Sequence, residues 1–369
     1  MNRTQFLQTI LPIGLGAFFM KDALAFNEPN ARPNWPNTPG FLKPGDTIAI
    51  TCPGGPLENK DLQNCISTLQ SWGFKTKVGK TIGHQWQRYG GTDKERAEDF
   101  QACLDDPAIS AILFGRGGYG VMRIIDTINW EKFVANPKWL IGFSDITAIH
   151  CHVNASFGIP TMHAHMANGF TNHGGEASES IRLALTGKTI NYNFAGTMEN
   201  ICGQISGELV GGNLSLIYAM QASKSELKTT GRILLIEDVS EFKYSVDRML
   251  MNLKRSGKLE GLAALVVGGL SIKDEADPDY VMHIEELVYE KVKEYNYPVC
   301  FKFPAGHQRN NFALKLGIPY QLTVGKSFCN LTELPNKQFK PAVNQTATDS
   351  LQASDVKTAD ETTAGQGLK

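Results

Sequence analysis

Between residues 46 and 143 the chain alternates short apolar runs with helix-spaced segments, and glycine or proline marks most of the changes. Asp46–Thr51 reads as a strand that ends at the turn signal Pro53-Gly54-Gly55. Asn59 to Trp72 carries helical spacing through Leu62, Ile66 and Leu69, and stops at Gly73. Phe74 to Val78 alternates as a strand, and Asp93 to Leu104 is a second helix. Ile109 to Phe114 is an apolar strand running into Gly115-Arg116-Gly117-Gly118-Tyr119-Gly120, with a helix over Val121 to Ile128. Trp139 to Phe143 is the next strand, and Ser144 sits just past its end. This β-α-β-α succession predicts an open, mostly parallel sheet flanked by helices. Ligands of such sheets bind outside the carboxyl ends of the strands, so Ser144 and the glycine loop should share one edge.

The second half has a different texture. Residues 176–205, with a short helix near Glu176 to Leu185, read as a polar connection between domains. Strands are expected over Ile205–Val210, Arg232–Ile236, Leu262–Val267 and Val299–Phe303, and helices over Val246–Leu253 and His283–Tyr295. Leu314–Gly317 and Tyr320–Val324 read as a closing hairpin. The expected organisation is an α/β domain at 41–175 and a second, β-rich α+β domain at 206–335. An extended Pro/Asn-rich lead-in covers 26–40, and 336–369 is a polar tail without apolar periodicity, which predicts disorder.

Residues 1–25 read as an export signal: Arg3, then an apolar stretch from Phe6 to Met20, then Ala23-Leu24-Ala25 as a small-residue cleavage site. The reading implies a periplasmic or secreted protein. The apolar stretch, broken by Pro12, is short for a span of about 20 residues, and no later segment is apolar enough to cross a membrane. Hydrophobic content of 42% and charged content of 20% suit a globular protein with a large core. A net charge of -1 gives no electrostatic reason to expect nucleic acid as a partner. The 7 cysteines show no C-x-x-C pair and no spacing that suggests a disulfide framework.

Three short segments supply chemistry in the order serine, carboxylate, histidine: Gly142–Asp145, Leu235–Asp238 and Gly306-His307. A serine alcohol needs a base within hydrogen-bond reach, and the base needs a third group to orient it. Ser144 is equally suited to cap the helix that follows, and Ile146 occupies the place of the second glycine of G-x-S-x-G. Glu237 ends an apolar strand, with Asp238 adjacent and Glu241 four residues on as rivals. His307 reads either as the base or as an ordinary loop histidine. A tetrahedral intermediate would need N–H donors, which Gly117 or Gly118 together with the backbone of Asp145 can supply. Arg116 suits a substrate carboxylate or a structural ion pair, and Asn213 suits the cleft wall or its own turn. The loop lacks the Gly-Lys-Ser/Thr ending of a phosphate-binding P-loop.

Six runs in order resemble the LD-carboxypeptidases, serine peptidases that also include the microcin C immunity peptidases. These are Leu42–Ile50, Gly115–Gly120, Ile141–Thr147, Leu209–Leu214, Leu234–Asp238 and Pro304–His307. The resemblance covers about residues 41–330. It implies a flavodoxin-like or glutamine-amidotransferase-like N-terminal domain, a β-rich C-terminal domain and an active site between them. It also implies a Ser144–His307–Glu237 triad, no cofactor or metal, and a homodimer. The implied reaction releases the terminal D-alanine of a muropeptide tetrapeptide during peptidoglycan turnover. The alternatives are a peptidyl-nucleotide amide substrate and a non-catalytic cell-wall-peptide binding protein.

One local feature departs from the pattern. His150, Cys151, His152, His163 and His165 make a cluster of potential ligands, since H-x-H on a strand puts two imidazoles on one face. His163-Ala164-His165 also replaces the Gly-Pro that often follows the corresponding histidine in relatives.

Overall fold

The computed structural model describes residues 37–170, 175–273 and 281–335. The expected leader at 1–25, most of the lead-in and the tail from 336 lie outside the described residues.

The first half runs β1 (Thr47–Thr51), α1 (Gln63–Ser71), β2 (Lys75–Val78), α2 (Asp93–Asp105), β3 (Ile109–Phe114), α3 (Val121–Ile124), α4 (Glu131–Ala135), β4 (Trp139–Gly142), α5 (Thr147–Phe157) and β5 (Thr161–His163). Its strands pair in the order β2-β1-β3-β4-β5, all parallel. This doubly wound order reverses direction between β1 and β3, which opens a crevice at their carboxyl ends. The apolar runs are buried on both faces. Ile48 and Ile50 enter one core and Ala49 the other, as do Leu113 and Ile112. Alternate residues of a strand point to opposite faces, so helices are needed on both sides. α2 starts where the sequence marks it: Thr92 accepts from Glu95 N at 3.2 Å, and Glu95 accepts from Thr92 N at 2.8 Å, a reciprocal capping box.

The second half continues with α6 (Glu176–Leu185), β6 (Asn191–Ala195), β7 (Gly203–Asn213), α7 (Leu214–Ala219), β8 (Ile233–Glu241), α8 (Lys243–Arg255), β9 (Ala264–Ile272), α9 (Ile284–Val292), β10 (Val299–Cys300), β11 (Leu314–Leu316), β12 (Pro319–Val324) and β13 (Phe328–Glu333). Seven strands form a sheet in the order β10-β9-β8-β7-β12-β13-β6. β7 to β10 are parallel and β12, β13 and β6 are antiparallel to their neighbours. The sheet is therefore mixed.

One local expectation is corrected, and one strand is added. The hairpin over 314–324 does not form. β11 pairs antiparallel with β5, Leu314 opposite His163, at the edge of the first sheet, whereas β12 pairs with β7 and β13. Leu314 and Leu316 are buried there, and the pairing covers an edge that would otherwise leave unpaired backbone groups. Residues 176–205 hold the expected helix as α6 and, in addition, the strand β6, which the sequence reading did not place. Tyr192 and Phe194 of β6 alternate into the core between exposed asparagines.

The two halves are locked together. Both apolar cores run without a break through both sheets. Thr147 Oγ1, at the start of α5, accepts from Asn213 N at 3.0 Å. Arg232 Nη1 donates to Asn154 Oδ1 at 2.8 Å. Among the described residues no helix is long and apolar enough to cross a membrane.

Candidate active site

Ser144 sits at the tip of β4 with φ of +61°, in the left-handed region that side chains seldom adopt. Phe143 before it is extended, and one tight turn after it leads into α5. A strained residue on a strand-to-helix turn is how a nucleophile elbow exposes its hydroxyl. Its neighbours must be small. A Cβ on Gly142 would lie 3.0 Å from the Ile146 side chain, and one on Gly117 would lie 2.9 Å from Ser144 Oγ. The backbone of Gly117 thus rests directly against the serine. Gly118 follows in the left-handed region with φ of +83°.

Asp145 is buried and turns away from this point. Its Oδ2 accepts from Val121 N at 2.9 Å, fixing the start of α3. Burial pushes its carboxyl up to about 6, while hydrogen bonding to Val121 and the Arg96 charge pull the other way. Arg96 is the group that sequence reasoning missed. Fully buried, it donates to the carbonyls of Pro53, Gly91 (3.2 Å) and Gly120 (2.9 Å) and pairs with Asp93 at 2.5 Å. It clamps the tips of β1 and β3. The available signal was its spacing with Phe100 and Cys103, which places it on the buried stripe of α2.

The second sheet supplies the other side. Glu237 is fully buried in the middle of β8, where the pairing with β9 shifts register, and its Oε2 accepts from His307 Nδ1 at 2.7 Å and from His307 N at 3.2 Å. Gly306 makes this approach possible: its φ is +96°, and a Cβ there would fall 2.5 Å from Glu237 Oε2. Asn311 Oδ1 accepts from Gly306 N at 2.8 Å and steadies the loop. The rival carboxylates have other partners. Asp238 accepts from Ser215 N at 2.8 Å and from Asn213 Nδ2 at 2.9 Å, and Glu241 accepts from Ser215 Oγ at 3.2 Å. Asn213 also caps α7 through Leu216 N. The His307 ring lies 4.7 Å from the ring of Phe143, the residue before Ser144, with centroids as the reference. Serine tip, glycine loop and His–Glu pair therefore meet where the two sheets adjoin.

The histidine cluster is dispersed. His150 and His152 are on helix α5, where two residues apart means different faces: His150 Nε2 meets Gly142 O at 2.9 Å and His152 Nδ1 meets Ser225 Oγ at 2.8 Å. His165 stacks on Phe170 and reaches Ser178 Oγ at 3.1 Å. His163 is buried behind the pair, 5.8 Å from Phe143, and neither ring nitrogen has a partner of good geometry. Burial pushes His150 down to about 4 and His163 to about 3, the latter also through His150 and His307. Among the described residues no group of three or more His, Cys, Asp or Glu is placed to hold a metal ion.

Two hollows lie on this half of the molecule. A groove of about 560 Å³ beside α2 and α3 includes Asp93 but none of the serine, glycine-loop, glutamate or histidine residues above. A cleft of about 230 Å³, lined by Gly55, Pro56, Arg88, Arg116, Gly118 and Tyr119, adjoins the glycine loop.

A serine on a strand tip beside a histidine–carboxylate pair, set between two α/β domains, is an arrangement of the serine-hydrolase class. The chain belongs to the LD-carboxypeptidase family: residues 48–164 match the LD-carboxypeptidase N-terminal domain and 206–322 the LD-carboxypeptidase C-terminal domain. A Bacillus subtilis protein named "Probable murein peptide carboxypeptidase" is 30% identical over 286 residues, covering 76% of this chain and 89% of that one. The Escherichia coli microcin C7 self-immunity protein MccF is 25% identical over 328 residues, covering 79% and 94%. The crystal structure of muramoyltetrapeptide carboxypeptidase from Oxalobacter formigenes superposes with a TM-score of 0.71 at 25% identity, covering 78% of this chain and 98% of that one.

Proposed function

We propose that this protein is a serine-type LD-carboxypeptidase that removes the terminal D-alanine from murein tetrapeptides. The observation that carries the reading is the 2.7 Å contact between His307 Nδ1 and buried Glu237, beside the Ser144 elbow. With Nδ1 held by the carboxylate, Nε2 is the nitrogen left to take the serine proton. Ser144 Oγ then attacks the carbonyl of the amide that joins an L-centre to D-alanine. The backbone near Gly117 and the N–H of Asp145 hold the oxyanion. His307 protonates the departing amine, and water hydrolyses the acyl-enzyme ester, freeing Ser144 and the shortened peptide. Glu237 orients the imidazole and stabilises its charged form. Family membership and the murein-peptide names of relatives support the substrate class.

The test is mass spectrometry of the tetrapeptide L-Ala-γ-D-Glu-meso-diaminopimelate-D-Ala after incubation with wild type and Ser144→Ala. Wild type should release one D-alanine. The variant should lose a factor on the order of 10⁴ or more in rate while keeping its fold. Retained activity in the variant would remove Ser144 from the mechanism. The exported location and the homodimer belong to the same reading, and are checked by cell fractionation and by light scattering of the purified protein.

A further inference from the structure

The cleft against the glycine loop holds two arginines that the mechanism above does not use. Arg88 and Arg116 are both exposed, and neither has a carboxylate partner among the described residues. Arg96, Arg123, Arg182 and Arg232 each pair with one. Arg116 Nη1 makes only a long contact, 3.5 Å, to Pro56 O. Arg88 is positioned by an aromatic ring, its guanidinium carbon 5.7 Å from the centre of Tyr119. Tyr119 is backed in turn by Tyr89 at 5.9 Å. The floor is tightly packed backbone: Gly55 N donates to Gly117 O at 2.6 Å, and a Cβ on Gly118 would lie 3.0 Å from Gly55 Cα. Two guanidiniums facing one small hollow repel each other unless an anion lies between them, and a planar carboxylate is the group their fork geometry suits.

The distance along the chain decides which carboxylate. Gly117 lies against Ser144, and Gly118, the next residue, lines the cleft. Consecutive Cα atoms are about 3.8 Å apart. In a single-residue leaving group the free carboxylate is also only one residue beyond the scissile bond. We propose that Arg88 and Arg116 bind the free α-carboxylate of the residue that leaves, and that this cleft restricts cleavage to the chain end. The assignment rests on the carboxypeptidase reading and names the specificity determinant of that same site.

Two measurements test it. The first compares kcat and KM for the tetrapeptide and for the same peptide with its terminal carboxylate amidated, in wild type, Arg88→Ala, Arg116→Ala and Arg116→Lys. Each alanine variant should raise KM for the acid about tenfold to a hundredfold, the value of a charge-assisted contact, and leave the amide nearly unchanged. Lysine should restore part of the loss. Equal effects on acid and amide, or a wild type that does not distinguish them, would overturn the proposal. The second measures equilibrium binding of the two peptides to Ser144→Ala with and without the arginines, which needs no turnover. Arginine-dependent preference for the acid there, with no hydrolysis by wild type, would uphold the cleft and reject the carboxypeptidase reading. Equal binding of acid and amide would reject the cleft whatever the turnover.

Discussion

At the scale of single residues the site depends on side chains that are missing as much as on those present. Gly306 has no room for a methyl group against Glu237, and its backbone is left-handed. Gly306→Ala should therefore shift His307 off its carboxylate without touching any reacting atom. The expected result is a fall in kcat/KM of about a hundredfold, the cost of misplacing a catalytic group by about an ångström, at nearly constant fluorescence and circular dichroism. The carboxylates separate in the same way. Glu237→Gln should reduce kcat by a factor on the order of 10³–10⁴, because the amide cannot stabilise an imidazolium. Glu241→Gln, which removes a charge whose side-chain contact is the Ser215 hydroxyl and keeps an acceptor there, should stay within about twofold of wild type by the same assay. The opposite ranking would move the third member of the triad to Glu241.

At the scale of elements, α5, β5 and the loop that follows β5 bury histidines that stay neutral. Burial holds His150 and His165 down to about 4 and His163 to about 3, against an ordinary value of 6.5. Below pH 6.5 the unfolded chain takes up protons that the folded chain refuses, so stability should fall as pH drops from 6.5 toward 4. Asp145, raised to about 6, opposes this below pH 6 because it takes up its proton more readily when folded. Burial also raises Asp238, Glu333 and Glu176, but between pH 7 and pH 5 the three imidazoles set the sign. Urea midpoints should be lower at pH 5 than at pH 7, and His163→Gln should flatten the difference. Equal midpoints at both values would show that the imidazoles are not buried neutral. The elements themselves were legible to different degrees. β3 and α6 fall where apolar runs and helical spacing place them, because those signals are local. β6 was missed because its five residues carry only Tyr192 and Phe194 among asparagines and alanine. The supposed hairpin at 314–324 failed for a deeper reason. Two short apolar runs around Gly317 look alike whether they pair with each other or with distant strands, and nothing in Leu314–Leu316 names β5 as partner. The serine elbow, the glycine loop and the chain order of the site were readable as motifs. The choice among Glu237, Asp238 and Glu241 was not readable from spacing, since only the fold decides which carboxylate meets the imidazole.

At the scale of the whole molecule, the family boundaries separate two domains that share their cores. β11, which lies in the C-terminal match, completes the N-terminal sheet, and both cores cross the boundary. Calorimetry of the full protein should therefore show one transition. Leu314→Ala, a core truncation of about 2–5 kcal/mol, should lower that transition as a unit by several degrees. Two separate transitions, with only one of them moved, would show that the halves melt independently.

The return of β11 also sets a timetable for synthesis. Roughly 150 residues separate β5 from its antiparallel neighbour, and a ribosome adding about 5–20 residues per second needs on the order of ten to thirty seconds to make them. Throughout that interval the newborn sheet has an open flank where a strange chain can dock. Whatever holds the nascent protein during those seconds must shield that flank until the late strand arrives to close it.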